Sequence, residues 1–238
     1  MVFDGWTRRN WIAAAFAVGA LAPALAAGAD KRILVLGDSL SAEYGLKRGS
    51  GWVALLENRL VAEKLPAHVI NASVSGDTTS GGRSRLPTLL AQYKPDVLVI
   101  ELGGNDALRG LPLAMTEDNL AQMTQAGQKA GAKVLLVGMQ VPPNYGADYS
   151  KRFAGLFATV ARKSKAALVP FLLKGVADVD DPARMFQADR LHPVAEAHPQ
   201  MLANVWPELK KLLAGAGPPQ TGRAPPGGRP KAMGAPNQ

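Results

Sequence analysis

Five short apolar runs rich in Val, Ile and Leu, separated by stretches long enough for a helix, constrain this chain more than any other feature. Strands that alternate with amphipathic stretches pair in parallel, because each crossover helix carries the chain back to the same end of the sheet. The expected strands are Arg32–Leu36, His68–Ala72, Asp96–Leu102, Lys133–Met139 and Ala167–Pro170. Gly51–Lys64 reads as a helix with Trp52, Leu55, Leu56 and Leu60 on one face, and Thr116–Ala130 and Tyr149–Lys165 read as two more. Val194–Leu213 is the closing helical segment, expected to be interrupted or kinked near Pro199 and Pro207. The fold class is α/β: a three-layer α/β/α sandwich around a five-stranded, mostly parallel sheet, with right-handed crossovers giving the flavodoxin-like strand order. Ligands of such sheets bind beyond the carboxyl ends of the strands, so chemistry is sought there.

A chain of 238 residues has room for one such core. Residues 1–29 read as a secretory signal peptide: Arg8 and Arg9, an apolar stretch from Trp11 to Leu25, then small residues suited to cleavage. "TRRNWI" loosely resembles a twin-arginine export signal. Cleavage would leave no stable membrane anchor, and no other segment is long enough to span a bilayer. The expected location is therefore periplasmic or secreted. Residues 30–214 form the folded domain, and residues 215–238 form a Pro- and Gly-rich tail with too few large apolar side chains to order itself.

The net charge of +8 does not announce a nucleic-acid partner. Residues 1–29 contribute one of those charges and the tail three, and the rest are scattered without a basic stripe interleaved with aromatics. The absence of cysteine excludes disulfides, thiolate metal sites and a thiol nucleophile. No His-Glu-x-x-His or calcium-loop spacing occurs, so no metal site and no cofactor are expected.

Four strand-end segments carry chemistry-bearing residues. Gly37-Asp38-Ser39 follows the first strand, so Ser39 is either a ligand-facing hydroxyl or a helix cap. "NASVSGDTTSGG" follows the second, where Gly76 can bring a backbone N–H close to a ligand or merely shape a turn. "IELGGNDAL" closes the third and offers the Asn105 amide. A serine hydroxyl needs a base, and His192 lies three residues after Asp189, a spacing that lets a carboxylate fix the imidazole tautomer. The alternative for this pair is a surface ion pair. His68 opens a strand and His198 lies six residues past His192, so neither has an aspartate so placed. After the fourth strand, "QVPPNYGADY" presents Val141, Pro142, Pro143 and Tyr145, apolar surface suited to a substrate pocket.

Gly-Asp-Ser-Leu (37–40), Gly76 in Ser-Gly-Asp-Thr-Thr, Gly103-x-Asn105-Asp106 and Asp189-x-x-His192-Pro193 resemble, in order, the four sequence blocks of the SGNH or GDSL hydrolases. "MQVPPNYGADYSKRF" and "NVWPEL" look more narrowly like the exported bacterial arylesterase, acyl-thioesterase and lysophospholipase branch. Arg190 and His198 depart from that branch, which usually carries a small or acidic residue and a glutamine there. The resemblance implies a serine esterase acting on small acyl esters or thioesters. Ser39 would be the nucleophile, His192 the base and Asp189 its orienting acid, with Ser39, Gly76 and Asn105 forming the oxyanion hole. The Gly-x-Ser-x-Gly elbow of ordinary α/β-hydrolases is absent. A carbohydrate acetylesterase and a non-catalytic flavodoxin-like binding module are the alternatives.

Overall fold

The computed structural model describes residues 30–215; the expected signal peptide and nearly all of the expected tail lie outside the described residues. Strands β1 (Lys31–Gly37), β2 (Ala67–Asn71), β3 (Val97–Glu101), β4 (Lys133–Val137) and β5 (Ala167–Val169) form one sheet in the order β2-β1-β3-β4-β5. Every pairing is parallel. The middle strands read as continuous apolar runs because helices cover both faces: all five residues of β3 are buried, as are the last five of β1.

Six helices cover the sheet: α1 (Trp52–Ala62), α2 (Thr79–Tyr93), the short α3 (Gly104–Leu108), α4 (Leu113–Lys129), α5 (Ala147–Ser164) and α6 (His198–Ala214). α1 packs on α6 at one face, while α2, α4 and α5 lie side by side on the other. α5 shows why these stretches are helical: Phe153, Leu156, Phe157, Val160 and Ala161 form one buried stripe at helical spacing.

The sequence reading placed no helix at Thr79–Tyr93. That segment contains Gly81, Gly82 and Pro87 and buries only Thr79, Gly82, Leu86 and Leu90, so its apolar periodicity is weak. It is helical because tertiary contacts hold its first turn. The Thr78 hydroxyl accepts from the Gly81 amide at 3.3 Å, and Asp106, brought in by α3, accepts from the Thr79 amide at 2.8 Å. Gly82 is required by close packing, since a Cβ there would lie 2.3 Å from Leu102 Cδ1.

The closing segment differs from expectation in one respect. Ala195–Ala197 is a separate 3-10 turn, and α6 begins at His198 with Pro199 in its first turn, where a missing N–H costs nothing. From there the helix continues through Pro207 to Ala214.

Strand order also fixes where a ligand can sit. β1 leads to β2 on one side, while β3 pairs with its other side, so the order in which strands are laid down reverses between β1 and β3. The crevice beyond their carboxyl ends is the switch point of an open α/β sheet. Ser39 follows β1 and Asn105 follows β3.

Candidate active site

Ser39 sits in the turn after β1, half-buried, and its Oγ lies 2.9 Å from His192 Nε2. The other ring nitrogen, Nδ1, lies 2.7 Å from Asp189 Oδ2. Hydroxyl, imidazole and carboxylate thus form one continuous hydrogen-bonded line. The acid and the ring come from a loop beyond β5, three strand positions from β1, or roughly 14 Å at about 4.8 Å per step. The chain therefore travels back across the strand ends to deliver them.

That loop is held locally. Phe186 and Pro193 form an antiparallel bridge, and Gln187 N donates to the His192 carbonyl at 2.8 Å. Arg190 N donates to the Gln187 carbonyl at 2.9 Å, closing a turn in which Arg190 takes φ +57°. Asp189 Oδ1 accepts from the Leu191 and His192 amides at 2.9 and 3.1 Å, an Asx turn that leaves Oδ2 for the imidazole. The Leu191 amide, the His192 ring and the His192 amide together pull the Asp189 carboxyl down to about 2. It is therefore ionised at any physiological pH.

The sequence reading missed two residues that join the loop to the serine turn. Gln187 Nε2 donates to the Tyr44 carbonyl at 3.0 Å and to the Pro193 carbonyl at 3.1 Å. The Tyr44 ring lies over His192 with centroids 4.3 Å apart. Neither residue carries a spacing signal, because each acts across a tertiary contact.

On the other side of Ser39, Gly76 takes φ +78°, a conformation that side-chain-bearing residues rarely adopt. The space above its α-carbon holds only the Arg109 guanidinium, 3.8 Å from a built Cβ. Arg109 Nη2 donates to the Gly76 carbonyl at 2.8 Å. Among the described residues, neither the Ser39 nor the Gly76 amide N–H has a protein hydrogen-bond partner. Asn105 Nδ2 donates to Asp38 Oδ2 at 3.1 Å and to the Asp77 carbonyl at 2.9 Å. Arg85 secures this corner from α2, pairing Asp77 Oδ2 at 2.8 Å and reaching the carbonyls of Ala72 and Gly37.

The remaining predicted residues are placed as follows. Val141 and Pro142 lie in the loop after β4, Val141 packed against the core and Pro142 exposed, and Pro143–Tyr145 forms a 3-10 turn. The Tyr145 ring stacks on Tyr149, 6.0 Å away. No hydrogen bond or ring contact joins this loop to Ser39, His192 or Asp189 among the described residues. His68 lies in the edge strand β2. His198 is buried, and its Nδ1 accepts from the Trp52 amide at 2.9 Å.

A hydroxyl, an imidazole and a carboxylate in line at the switch point of a parallel α/β sheet are the arrangement found in one class of protein, the hydrolytic enzymes that work through an activated serine. Comparison with known proteins narrows that class. A model of the GDSL-like Lipase/Acylhydrolase family matches residues 35–199, and the chain belongs to this family. It is 53% identical to "Esterase TesA" of Pseudomonas aeruginosa, over 78% of this chain and 90% of that protein. It is 39% identical to "Thioesterase 1/protease 1/lysophospholipase L1" of Escherichia coli K12, over 79% of this chain and 87% of that one. The crystal structure of the psychrotrophic esterase EstA from Pseudoalteromonas sp., inhibited by monoethylphosphonate, superimposes with a TM-score of 0.72 at 40% identity. It covers 78% of this chain and 100% of EstA. The chain is thus an ester-hydrolysing enzyme with the α/β/α architecture expected from its sequence.

Proposed function

We propose that this enzyme hydrolyses small acyl esters and thioesters through an acyl-enzyme on Ser39, and that it acts in the periplasm or outside the cell after loss of residues 1–29. The observation that carries the reading is the unbroken Asp189–His192–Ser39 relay at 2.7 and 2.9 Å. Asp189 accepts a hydrogen bond from Nδ1–H, which leaves the unprotonated Nε2 as the base facing the hydroxyl. Ser39 Oγ attacks the acyl carbonyl as its proton passes to His192 Nε2. The carbonyl π electrons move to oxygen, and the tetrahedral oxyanion meets the unpartnered Ser39 and Gly76 amides. Asn105 supplies the third donor by giving up its bond to the Asp77 carbonyl while Asp38 keeps the amide anchored. Collapse expels the alcohol or thiol, which takes the proton from His192. Water then repeats the sequence and releases the acid.

The relatives' names support the substrate class: esterase for one, thioesterase and lysophospholipase for another. For location, the support is the basic-then-apolar leader with small residues at its end. Among the described residues no helix is long and apolar enough to cross a membrane.

An active-serine phosphonate tests the mechanism. It is expected to label the native enzyme once, at Ser39, and to leave Ser39→Ala unlabelled. Ser39→Ala and His192→Ala should each lower kcat by roughly 10³–10⁶, and the double variant should be no slower than either, because nucleophile and base act as one unit. Labelling elsewhere, or near-normal turnover by His192→Ala, refutes the assignment.

A further inference from the structure

Directly beneath the serine turn lie two buried carboxyls, Asp38, which anchors Asn105, and Glu101, to which the hydrolytic cycle assigns no part. Glu101, the last residue of β3, is completely buried within an otherwise apolar strand, and Asp38 is 2% exposed. Glu101 Oε2 accepts from the Ser41 hydroxyl at 2.6 Å and from the Asp38 amide at 3.4 Å. The indole N–H of Trp52 donates to the same Ser41 oxygen at 3.2 Å, so the serine's own hydrogen is directed at Glu101. Glu101 Oε1, also buried, has no donor around it. Asp38 is thus the immediate neighbour of Glu101 through its own amide, and its carboxyl accepts from the Leu40 amide at 3.0 Å and from Asn105 at 3.1 Å.

Two ionised carboxylates in contact inside a protein repel each other and forfeit hydration, so such a pair retains a proton. The surroundings decide where it resides. Each carboxyl accepts from two donors, but those of Asp38 satisfy both of its oxygens, whereas both of Glu101's fall on Oε2 and leave Oε1 with nothing to satisfy it except a proton of its own. We infer that Glu101 is a positioning residue: held as the neutral acid, it donates to Asp38 and thereby fixes the Asp38 carboxylate as the anchor of the Asn105 amide. The pair then carries one negative charge rather than two beneath the place where the oxyanion forms. This inference rests on the oxyanion role of Asn105.

Burial is the chief cause raising both carboxyls, and the arrangement requires that Glu101 rise further than Asp38. Glu101 stands well above the usual range, with the Asp38 charge as the second cause, and Asp38 rises to about 6. The titratable groups facing Asp38 are Glu101 from β3, His192 from the loop before α6 and Asp77 from the turn before α2. Asp77 is itself paired with Arg85.

Two substitutions separate a neutral hydrogen-bonding role from simple filling of space. Glu101→Gln keeps a neutral donor for Asp38 and an acceptor for Ser41, and it is expected to retain kcat within about threefold. Glu101→Leu keeps the volume but not the donor. It should lose about 10–100-fold in kcat with KM within threefold, below the 10²–10³ scale for removing an oxyanion donor outright. Combined with Asn105→Ala, Glu101→Leu should cause no further loss. Equal losses in the Gln and Leu variants, full kcat in Glu101→Leu, or losses that multiply with Asn105→Ala would overturn the inference. Infrared spectroscopy reads the proton itself, whatever the fate of Glu101→Leu. The native enzyme at neutral pH should show a protonated-carboxyl band that Glu101→Gln lacks, and a native spectrum without that band refutes the neutral acid. If Asn105→Ala alone leaves kcat intact while the band is present, the oxyanion assignment of Asn105 fails and the neutral Glu101 stands.

Discussion

Asp189 meets three donors with two oxygens, and this division of labour predicts how it fails. Oδ1 shapes the turn through the Leu191 and His192 amides, while Oδ2 alone addresses the imidazole. Asparagine can keep its carbonyl oxygen on the two amides and so preserve the turn. Its NH2 then faces Nδ1, which must become an acceptor, and the remaining proton moves to Nε2, where it blocks proton removal from Ser39. Asp189→Asn is therefore expected to fold with an unchanged melting temperature and to lose about 10⁴ in kcat, the scale of the wrong tautomer. Asp189→Ala should lose thermal stability as well, because the turn loses its acceptor. Steady-state kinetics and thermal unfolding of the two variants check this, and an Asp189→Asn enzyme within tenfold of native kcat would exclude the orienting role. Because Asp189 titrates near 2, the acid limb of activity is set by other groups.

At the scale of elements, the strands were legible and their joints were not. Each expected strand lies within two residues of its observed limits at either end, because an apolar run between turn residues is a local signal. The four segments that carry Ser39, Gly76, Asn105 and the Asp189–His192 pair were legible for the same reason: each sits at a strand end or in a tight turn. α2 was hidden because its first turn is stabilised by Asp106, 27 residues away. Tyr44, Gln187 and Glu101 were hidden because their partners lie across the fold. In Glu101 one signal was available, a carboxyl inside a strand otherwise made of Val, Leu and Ile. His198 has no aspartate three residues before it and is separated from His192 by a 3-10 turn. It stands at the start of α6 and caps α1. Gly51 supplies no side-chain cap, and His198 Nδ1 takes the Trp52 N–H that α1 cannot satisfy internally. Burial holds His198 below its ordinary value near 6.5, with Glu43 and the Pro193 carbonyl opposing. Between that ordinary value and the lower folded one, the unfolded chain binds the extra proton. The contribution of His198 is thus full above about pH 6.5 and lost as pH falls below it. His198→Gln preserves an acceptor for Trp52 without titrating, so its melting temperature should fall less than the native one between pH 7 and pH 5. Parallel curves would contradict the cap. The loop after β4 supports a different prediction. If Val141, Pro142 and Tyr145 line the acyl pocket, shortening the loop should lower hydrolysis of medium-chain p-nitrophenyl esters more than of acetyl esters. An equal loss on both removes the loop from the pocket.

For the whole molecule, what matters is that β1, β2, β3 and the chain after β5 feed one edge and that both ends of the described chain are pinned at the opposite one. Ser39, Gly76 and Asn105 follow β1, β2 and β3, and the long return from β5 brings His192 back to them. At the far edge, Lys31 at the start of β1 donates to the carbonyls of Leu213 and Gly215, and Lys133 at the start of β4 donates to those of Leu212 and Gly215. Two lysines therefore satisfy the carbonyls that the end of α6 leaves open, where the helix dipole also favours positive charge. Leu213, buried in the core, lies on the same turn. These contacts lead us to propose residues 30–215 as the folding unit, which truncation tests. A chain of residues 30–215 is expected to keep kcat/KM within twofold and its melting temperature within about 2 °C, a change worth under about 1 kcal/mol for a domain of this size. Removing residues 211–215 as well takes away Leu213 and the lysine acceptors. Losing one buried leucine alone costs about 2–5 kcal/mol, so this shorter chain should melt at least about 4 °C lower. N-terminal sequencing of exported enzyme should find a start between Ala27 and Asp30. A tenfold loss of kcat/KM in the 30–215 chain would show that the ends take part in catalysis, contrary to a site built wholly from the sheet edge.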